Sequence, residues 1–254
     1  MAKKLYNESD IQNIADAIRE KNGSQDKYKV SEMAQAIEDI SGGIDAYAFF
    51  QQHNVPTDLS QYSLAGVTEL RDSAFRGFSE LTNISLPSGL KTIGESAFQS
   101  CINLSLTSLP DGVTSIGQFA FWGCSKLSLT SLPSLIEKIE KSTFYNCINL
   151  SLTSLPSGII RIHENAFYGC TNLEKIILPS GLQAIENNAF YGCTSLKTVI
   201  CYAVNPPSGG VAFSQTHADL AIYVPDASVS AYKSAGNWSF YASKIHPMSE
   251  YIPS

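Results

Sequence analysis

Charge is scarce in this chain: of 254 residues, 16% are Asp, Glu, Lys or Arg, and the formal balance is -6. No run of Lys or Arg could track a phosphate backbone, which excludes nucleic acid as a partner. Long apolar runs are missing too; no window reaches the roughly 18 apolar residues of a membrane span, so membrane insertion is not expected. The opening MAKKLYNESD follows its two lysines with polar residues, and the chain as given therefore carries no signal peptide. An extracellular, cell-surface or virion location stays compatible with that, through a removed leader or release by lysis. Catalytic signatures are also missing. There is no Cys-x-x-Cys, Gly-x-Ser-x-Gly, His-Glu-x-x-His or phosphate-cradling glycine loop, and His53, His163, His217 and His246 share no metal-ligand spacing. Neither an enzyme nor a cofactor or metal protein is expected.

What is present is a period. Phe75, Phe98, Phe121, Phe144, Phe167 and Phe190 are each 23 residues apart, and Ala212-Phe213 falls one further step on, in degraded surroundings. Other columns keep the phase: Leu70 through Ile185 five residues before the phenylalanine, Leu81 through Leu196 six after it, and a Leu-Pro pair closing most coils, as at Leu109-Pro110 and Leu178-Pro179. Apolar residues fixed at one phase, with polar ones between, are what a stacked solenoid requires, because each coil buries its inner face only against its neighbours. With 44% hydrophobic residues there is material for such a core. The Leu-x-x-Ile-x-Leu-Pro stretch (Leu173 to Pro179) predicts a short parallel strand, since proline is tolerated once the ladder has ended. Stretches such as ESAFQSC and ENAFYGC predict a tight helical or 3₁₀ turn, with glycine or a polar residue before the cysteine to let the chain turn. The fold expected is an α/β class, right-handed leucine-rich-repeat solenoid of about seven coils.

The segments LPSGLKTIGESAFQSCINL and LPSGIIRIHENAFYGCTNL resemble the BspA-like leucine-rich repeats of bacterial surface proteins, over roughly Val67 to Ala203. That resemblance implies an adhesive role; the period and its columns speak only for the fold.

Both ends of a solenoid need covering. Residues 8 to 40 read as two helices, with Ser9 and Gln12 as a capping box and Gly23 and Gly42-Gly43 as stops. The segment IADAIREKNGSQDKYKVSEMAQAI also resembles a helical module near the start of phage and prophage tail-associated proteins. At the other end Ile222 to Val224 reads as a last strand, Ser228 to Ala235 as a helix, and Trp238, Phe240, Tyr241 and Ile245 as apolar cover; this stretch resembles the terminal cap of BspA-like arrays. The division expected is a helical module and linker over 1–56, a solenoid over 57–213 and a cap over 214–254.

Five of the six cysteines, Cys101, Cys124, Cys147, Cys170 and Cys193, form one column and read as buried, reduced thiols, with Asn103, Asn149 and Asn172 able to bond the turn backbone. Cys201 falls in a leucine column and reads as core. Glu95, Glu140, Glu164 and Glu186 read as a solvated face. Two rows are candidates for binding. Trp122, Tyr145, Tyr168 and Tyr191 follow successive phenylalanines and predict a stacked row that is either a spine or a contact surface. Leu106, Leu129 and Leu152 replace Asn83, Lys175 and Thr198 of other coils. On a leucine-rich-repeat template they point outward, bordered by Ser105, Ser128 and Ser151, as an apolar stripe; a local change in the strand instead turns them inward and leaves Thr107, Thr130 and Thr153 outside. The function expected is recognition of a protein or glycan on a cell or host surface. The alternatives are a structural spacer and a phage-tail-associated protein presenting its N-terminal module.

Overall fold

The computed structural model describes residues 57–60, 64 and 66–253. The two helices expected over residues 8 to 40 lie outside that range. Short strands line two sides of a coil. On one side run β1 (Asp58–Leu59), β3 (Asn83–Ile84), β8 (Lys175–Leu178), β10 (Thr198–Cys201), β12 (Ala221–Val224) and β13 (Ile245–Pro247). On the other run β2 (Glu69–Leu70), β4 (Thr92–Ile93), β5 (Ser115–Ile116), β6 (Lys138–Ile139), β7 (Arg161–Ile162), β9 (Ala184–Ile185) and β11 (Ser208–Gly209). Every pair is parallel, as a chain that returns to the same side once per turn demands, and registers such as Thr92↔Ser115 and Lys175↔Thr198 repeat the sequence period. β8 is the strand expected from Leu-x-x-Ile-x-Leu-Pro. The second strand row was not foreseen, because two residues per coil are too few to show alternation.

The turn side departs from a helix. Ala97, Gln99 and Cys101 donate to the carbonyls three residues back, as in a 3₁₀ turn. The residues between, Ser96, Phe98 and Ser100, donate instead to Gln118, Ala120 and Trp122 of the next coil. Left-handed residues make the alternation possible: Ser96 and Ser100 have φ of 56° and 63°, and the same two rows hold Asn165, Asn188, Gly123, Gly169 and Gly192. A helix would turn all these donors along its own axis; nested β-turns share them between a coil and its neighbour, so the turns also tie the stack together. Glycine or a small polar residue before each cysteine is thus required by backbone conformation.

Inside, the phenylalanines form one stack. Rings from Phe75 to Phe213 lie 5.1 to 5.6 Å apart and within 11° of parallel, all of them buried. The stack thus continues through the degraded surroundings of Phe213. Its ring is closed off by Trp238 at 5.8 Å and by the edge of Tyr241 at 5.6 Å, whose hydroxyl accepts from Phe213 N–H. The cap extends the first strand row through β12 and β13 and adds one short helix, α1 (Val229–Ser234). Tyr232 of α1 donates to Ala203 O at 2.7 Å, and Trp238 Nε1 to Pro207 O at 2.8 Å, so both large side chains enter the core with their polar atoms satisfied. Phe240, expected to provide cover, is 70% exposed: it follows Ser239 on a 3₁₀ turn whose inward position belongs to Tyr241.

Candidate recognition face

The decisive comparison lies between two versions of one seven-residue stretch. In Leu173-Glu-Lys-Ile-Ile-Leu-Pro179 the buried positions are Leu173, Ile176 and Leu178, with the closing Pro179. In Leu104-Ser-Leu-Thr-Ser-Leu-Pro110 they are Leu104, Leu106 and Leu109, while Ser105, Thr107 and Ser108 are exposed. The next two coils repeat the pattern: Leu129 and Leu152 are buried, and Thr130, Ser131, Thr153 and Ser154 are exposed. The outward stripe of Leu106, Leu129 and Leu152 is therefore corrected to an inward row.

The energetics explain the choice. Burying one leucine instead of one threonine gains about 2 kcal/mol of apolar burial and avoids about 1 to 3 kcal/mol for an unpaired hydroxyl. Against this stands the loss of ladder hydrogen bonds worth about 0.5 to 1.5 kcal/mol each. The ladder does yield. These three coils contain no strand of the first row, only the isolated bridge of Ser154 with Ile177. Single bonds such as Ser128 N–H to Leu106 O and Ser151 N–H to Leu129 O join them.

The result is a sharply divided surface. Across the three coils the outward positions hold Ser105, Thr107, Ser108, Ser128, Thr130, Ser131, Ser151, Thr153 and Ser154, nine hydroxyls without a charge. Ser105 donates to Thr82 O. The other eight hydroxyls, those of Thr107, Ser108, Ser128, Thr130, Ser131, Ser151, Thr153 and Ser154, bond no protein group among the described residues. One coil further on Glu174 stands in place of Ser151 and Lys175 in place of the inward Leu152, and Tyr251 reaches over this stretch: it lies 5.0 Å from the Tyr223 ring and accepts from Lys175 Nζ at 2.7 Å. At its other border the hydroxyl face opens into a groove of about 710 Å³ lined by Asn83, Ile84, Leu86 and Ser88 on one side and by residues 105 to 112, Thr107 and Asp111 among them, on the other. The groove exists because β3 pairs only with β1, and the coil after it has changed phase.

The aromatic row is present as expected. Trp122, Tyr145, Tyr168 and Tyr191 stack at 4.5 to 5.6 Å, all half-buried. Their faces are occupied by one another, so what they offer a partner is edges and hydroxyls. Desolvation and the adjacent Tyr145 phenol hold Tyr168 above the usual tyrosine range. The five cysteines in phase are buried, and each thiol donates to the carbonyl of the preceding coil's phenylalanine at 3.0 to 3.1 Å, from Cys101 to Phe75 through Cys193 to Phe167. Burial pushes all of these thiols up, Cys193 to about 12. Asn103 bonds the turn backbone at Ser79 O, whereas Asn172 donates to the Asn149 side chain.

Glu140, Glu164 and Glu186 join a surface ion-pair network rather than standing alone. His163 lies 3.1 Å from Glu186 and 3.6 Å from Glu140, Lys141 lies 2.8 Å from Glu164, and Arg161 3.3 Å from Glu186. Such exposed pairs contribute about 0 to 1 kcal/mol each. Among the described residues no group of three or more His, Cys, Asp or Glu is placed to hold a metal ion, and no helix is long and apolar enough to cross a membrane.

The fold and its columns define a leucine-rich-repeat solenoid of parallel strands. The chain belongs to the BspA type leucine rich repeat region family, whose model matches residues 42–173 and 126–246 in six copies. It is similar to the leucine rich repeat protein of T. pallidum (31% identity, TM-score 0.49, 57% of this chain and 66% of that one). It is also similar to a leucine-rich repeat protein from Bacteroides ovatus (25%, 0.49, 70% and 57%). A third likeness is to a leucine rich cell surface protein from Faecalibacterium prausnitzii (27%, 0.38, 54% and 52%). The chain spans between half and two thirds of the length of these solved chains. No curated protein matches it. Repeats of this family are in general non-catalytic scaffolds with a protein-binding or adhesion-type role in the broad sense.

Proposed function

We propose that the chain is a non-catalytic recognition protein that binds a macromolecule on a cell or host surface through the hydroxyl face of its central coils. The observation that carries this reading is the contrast along one side of the solenoid: nine outward Ser and Thr residues over three coils, open and uncharged, beside a neighbouring stretch that the chain covers with its own Tyr251. Stability accounts for turning the leucines inward; an uncovered polar surface left open next to a groove is where a partner fits. The stacked Trp122, Tyr145, Tyr168 and Tyr191 row supports the face from the turn side and serves as a spine, because its ring faces are already spent on each other.

The reading is tested by adhesion of the labelled protein to whole bacterial and host cells, comparing the parent with Thr130→Lys and with Lys141→Ala, which lies on the turn side. Adhesion lost in Thr130→Lys and retained in Lys141→Ala is the expected result. Equal adhesion of both variants would place recognition elsewhere on the molecule.

A further inference from the structure

We propose that the ligand of the hydroxyl face is a neutral polysaccharide lying along the solenoid axis, with its end or a branch seated in the groove beside Asp111. The inference rests on the recognition reading above and adds the chemistry of what is recognised.

Exclusion narrows the choice first. The nine outward positions hold no Arg or Lys to meet a uronate, sulfate or phosphate; at their border stand one carboxylate, Asp111, in the groove, and one ammonium, Lys91, beside Gly112. The face also lacks the Trp, Tyr and Arg that anchor protein partners; the aromatic row belongs to the turn side. What remains are hydroxyls, each able to donate one hydrogen bond and accept others, and eight of them are unengaged by any protein group among the described residues. A neutral sugar, with donors and acceptors of the same kind and no charge to desolvate, is the complement of such a surface.

Periodicity narrows it further. The hydroxyls recur in phase on successive coils, so Thr107, Thr130 and Thr153 form a row with the spacing of the stack, which the phenylalanine rings measure at 5.3 and 5.6 Å in this part of the molecule. A polymer whose monomers repeat at a similar distance meets the same hydroxyls at every coil; a protein segment of varied side chains does not. The row is bounded by the groove before Ser105 and by the covered surface after Ser154, which limits the bound length to a few sugars.

The test is a titration of the full chain with defined oligosaccharides of six or more residues, neutral hexose and N-acetylhexosamine polymers alongside uronate, sulfated and sialylated ones. Binding of at least one neutral polymer is expected. It should change little between low and physiological salt, since no ion pair carries it, and weaken about tenfold or more in Thr130→Lys, which sets an unpaired ammonium among the hydroxyls. Lys141→Ala should bind as the parent does. Binding by none of the neutral polymers, or equal binding by Thr130→Lys, overturns the proposal. Periodate treatment of target cells separates this from the broader reading. If Thr130→Lys abolishes adhesion that survives glycan oxidation, the face recognises something other than a glycan; if adhesion never depends on Thr130, the face itself is wrong.

Discussion

Truncating Phe144 to alanine removes the middle ring of the stack, with neighbours at 5.6 Å and 5.5 Å on its two sides and no solvent exposure. A buried phenylalanine withdraws about 150 to 250 Å² from water, and its truncation costs about 3 to 5 kcal/mol once the cavity is included. Two parallel ring contacts, each worth about 0.5 to 1.5 kcal/mol beyond area, are lost with it. A total near 5 kcal/mol is expected, comparable with the whole stability of many domains, about 5 to 15 kcal/mol. Because each coil touches only its neighbours, the damage should also uncouple the two halves of the array. Urea titration followed by far-ultraviolet circular dichroism reads the loss. Fluorescence of Trp122 and Trp238, taken one at a time in Trp→Phe backgrounds, reads whether the coil before Phe144 and the C-terminal cap still melt together. Phe144→Leu keeps most of the burial and loses only the ring contacts, so it should cost about 1 to 2 kcal/mol. A loss below about 1.5 kcal/mol in Phe144→Ala would refute the stack as the central support, by the yardstick of ordinary core truncations.

The five thiols of the column and Cys201, all buried, should be silent to alkylating reagents in the folded state and give six free thiols after denaturation, checked by mass. The raised thiols hold their protons in the folded chain, whereas the unfolded chain releases them above about pH 8.5. Stability is therefore fully present below that value and falls as pH rises towards the folded values, by up to about 1.4 kcal/mol per thiol per unit, visible as a falling urea midpoint between pH 7 and 10. Gly123→Val should lose about 1 to 3 kcal/mol, because φ of 74° is left-handed backbone that a β-branched residue resists. Tyr232→Phe deletes the hydroxyl that serves Ala203 O and Cys201 and should cost about 1 to 3 kcal/mol by thermal or urea melting, without changing the fold.

Much of this architecture was legible because a solenoid writes each contact into the period. The phenylalanine, cysteine and isoleucine columns are buried as read, since any residue repeated in phase meets its own copy in the next coil. The turn backbone was less legible: spacing shows where Ser96 and Ser100 sit, but not that every second N–H leaves its own coil. The outward face was harder still. A template carried over from Leu173-Glu-Lys-Ile-Ile-Leu-Pro179 turns Leu106 outward, and only the exchange of Leu for a polar residue and of Thr for Ile, read together, signals the change of phase. Phe240 failed for a similar reason, in that an aromatic beside Tyr241 on a short turn cannot share its direction.

The central claim is that the three middle coils turn leucine in and threonine out, leaving a free hydroxyl face for a partner. Aspartate placed in turn at two adjacent positions tests it, with stability and adhesion measured on both proteins. Leu129→Asp buries an unpaired charge and should leave the protein severely destabilised, whereas Thr130→Asp should move stability by less than about 0.5 kcal/mol and lose adhesion. Tolerance of Leu129→Asp together with collapse in Thr130→Asp would contradict the account.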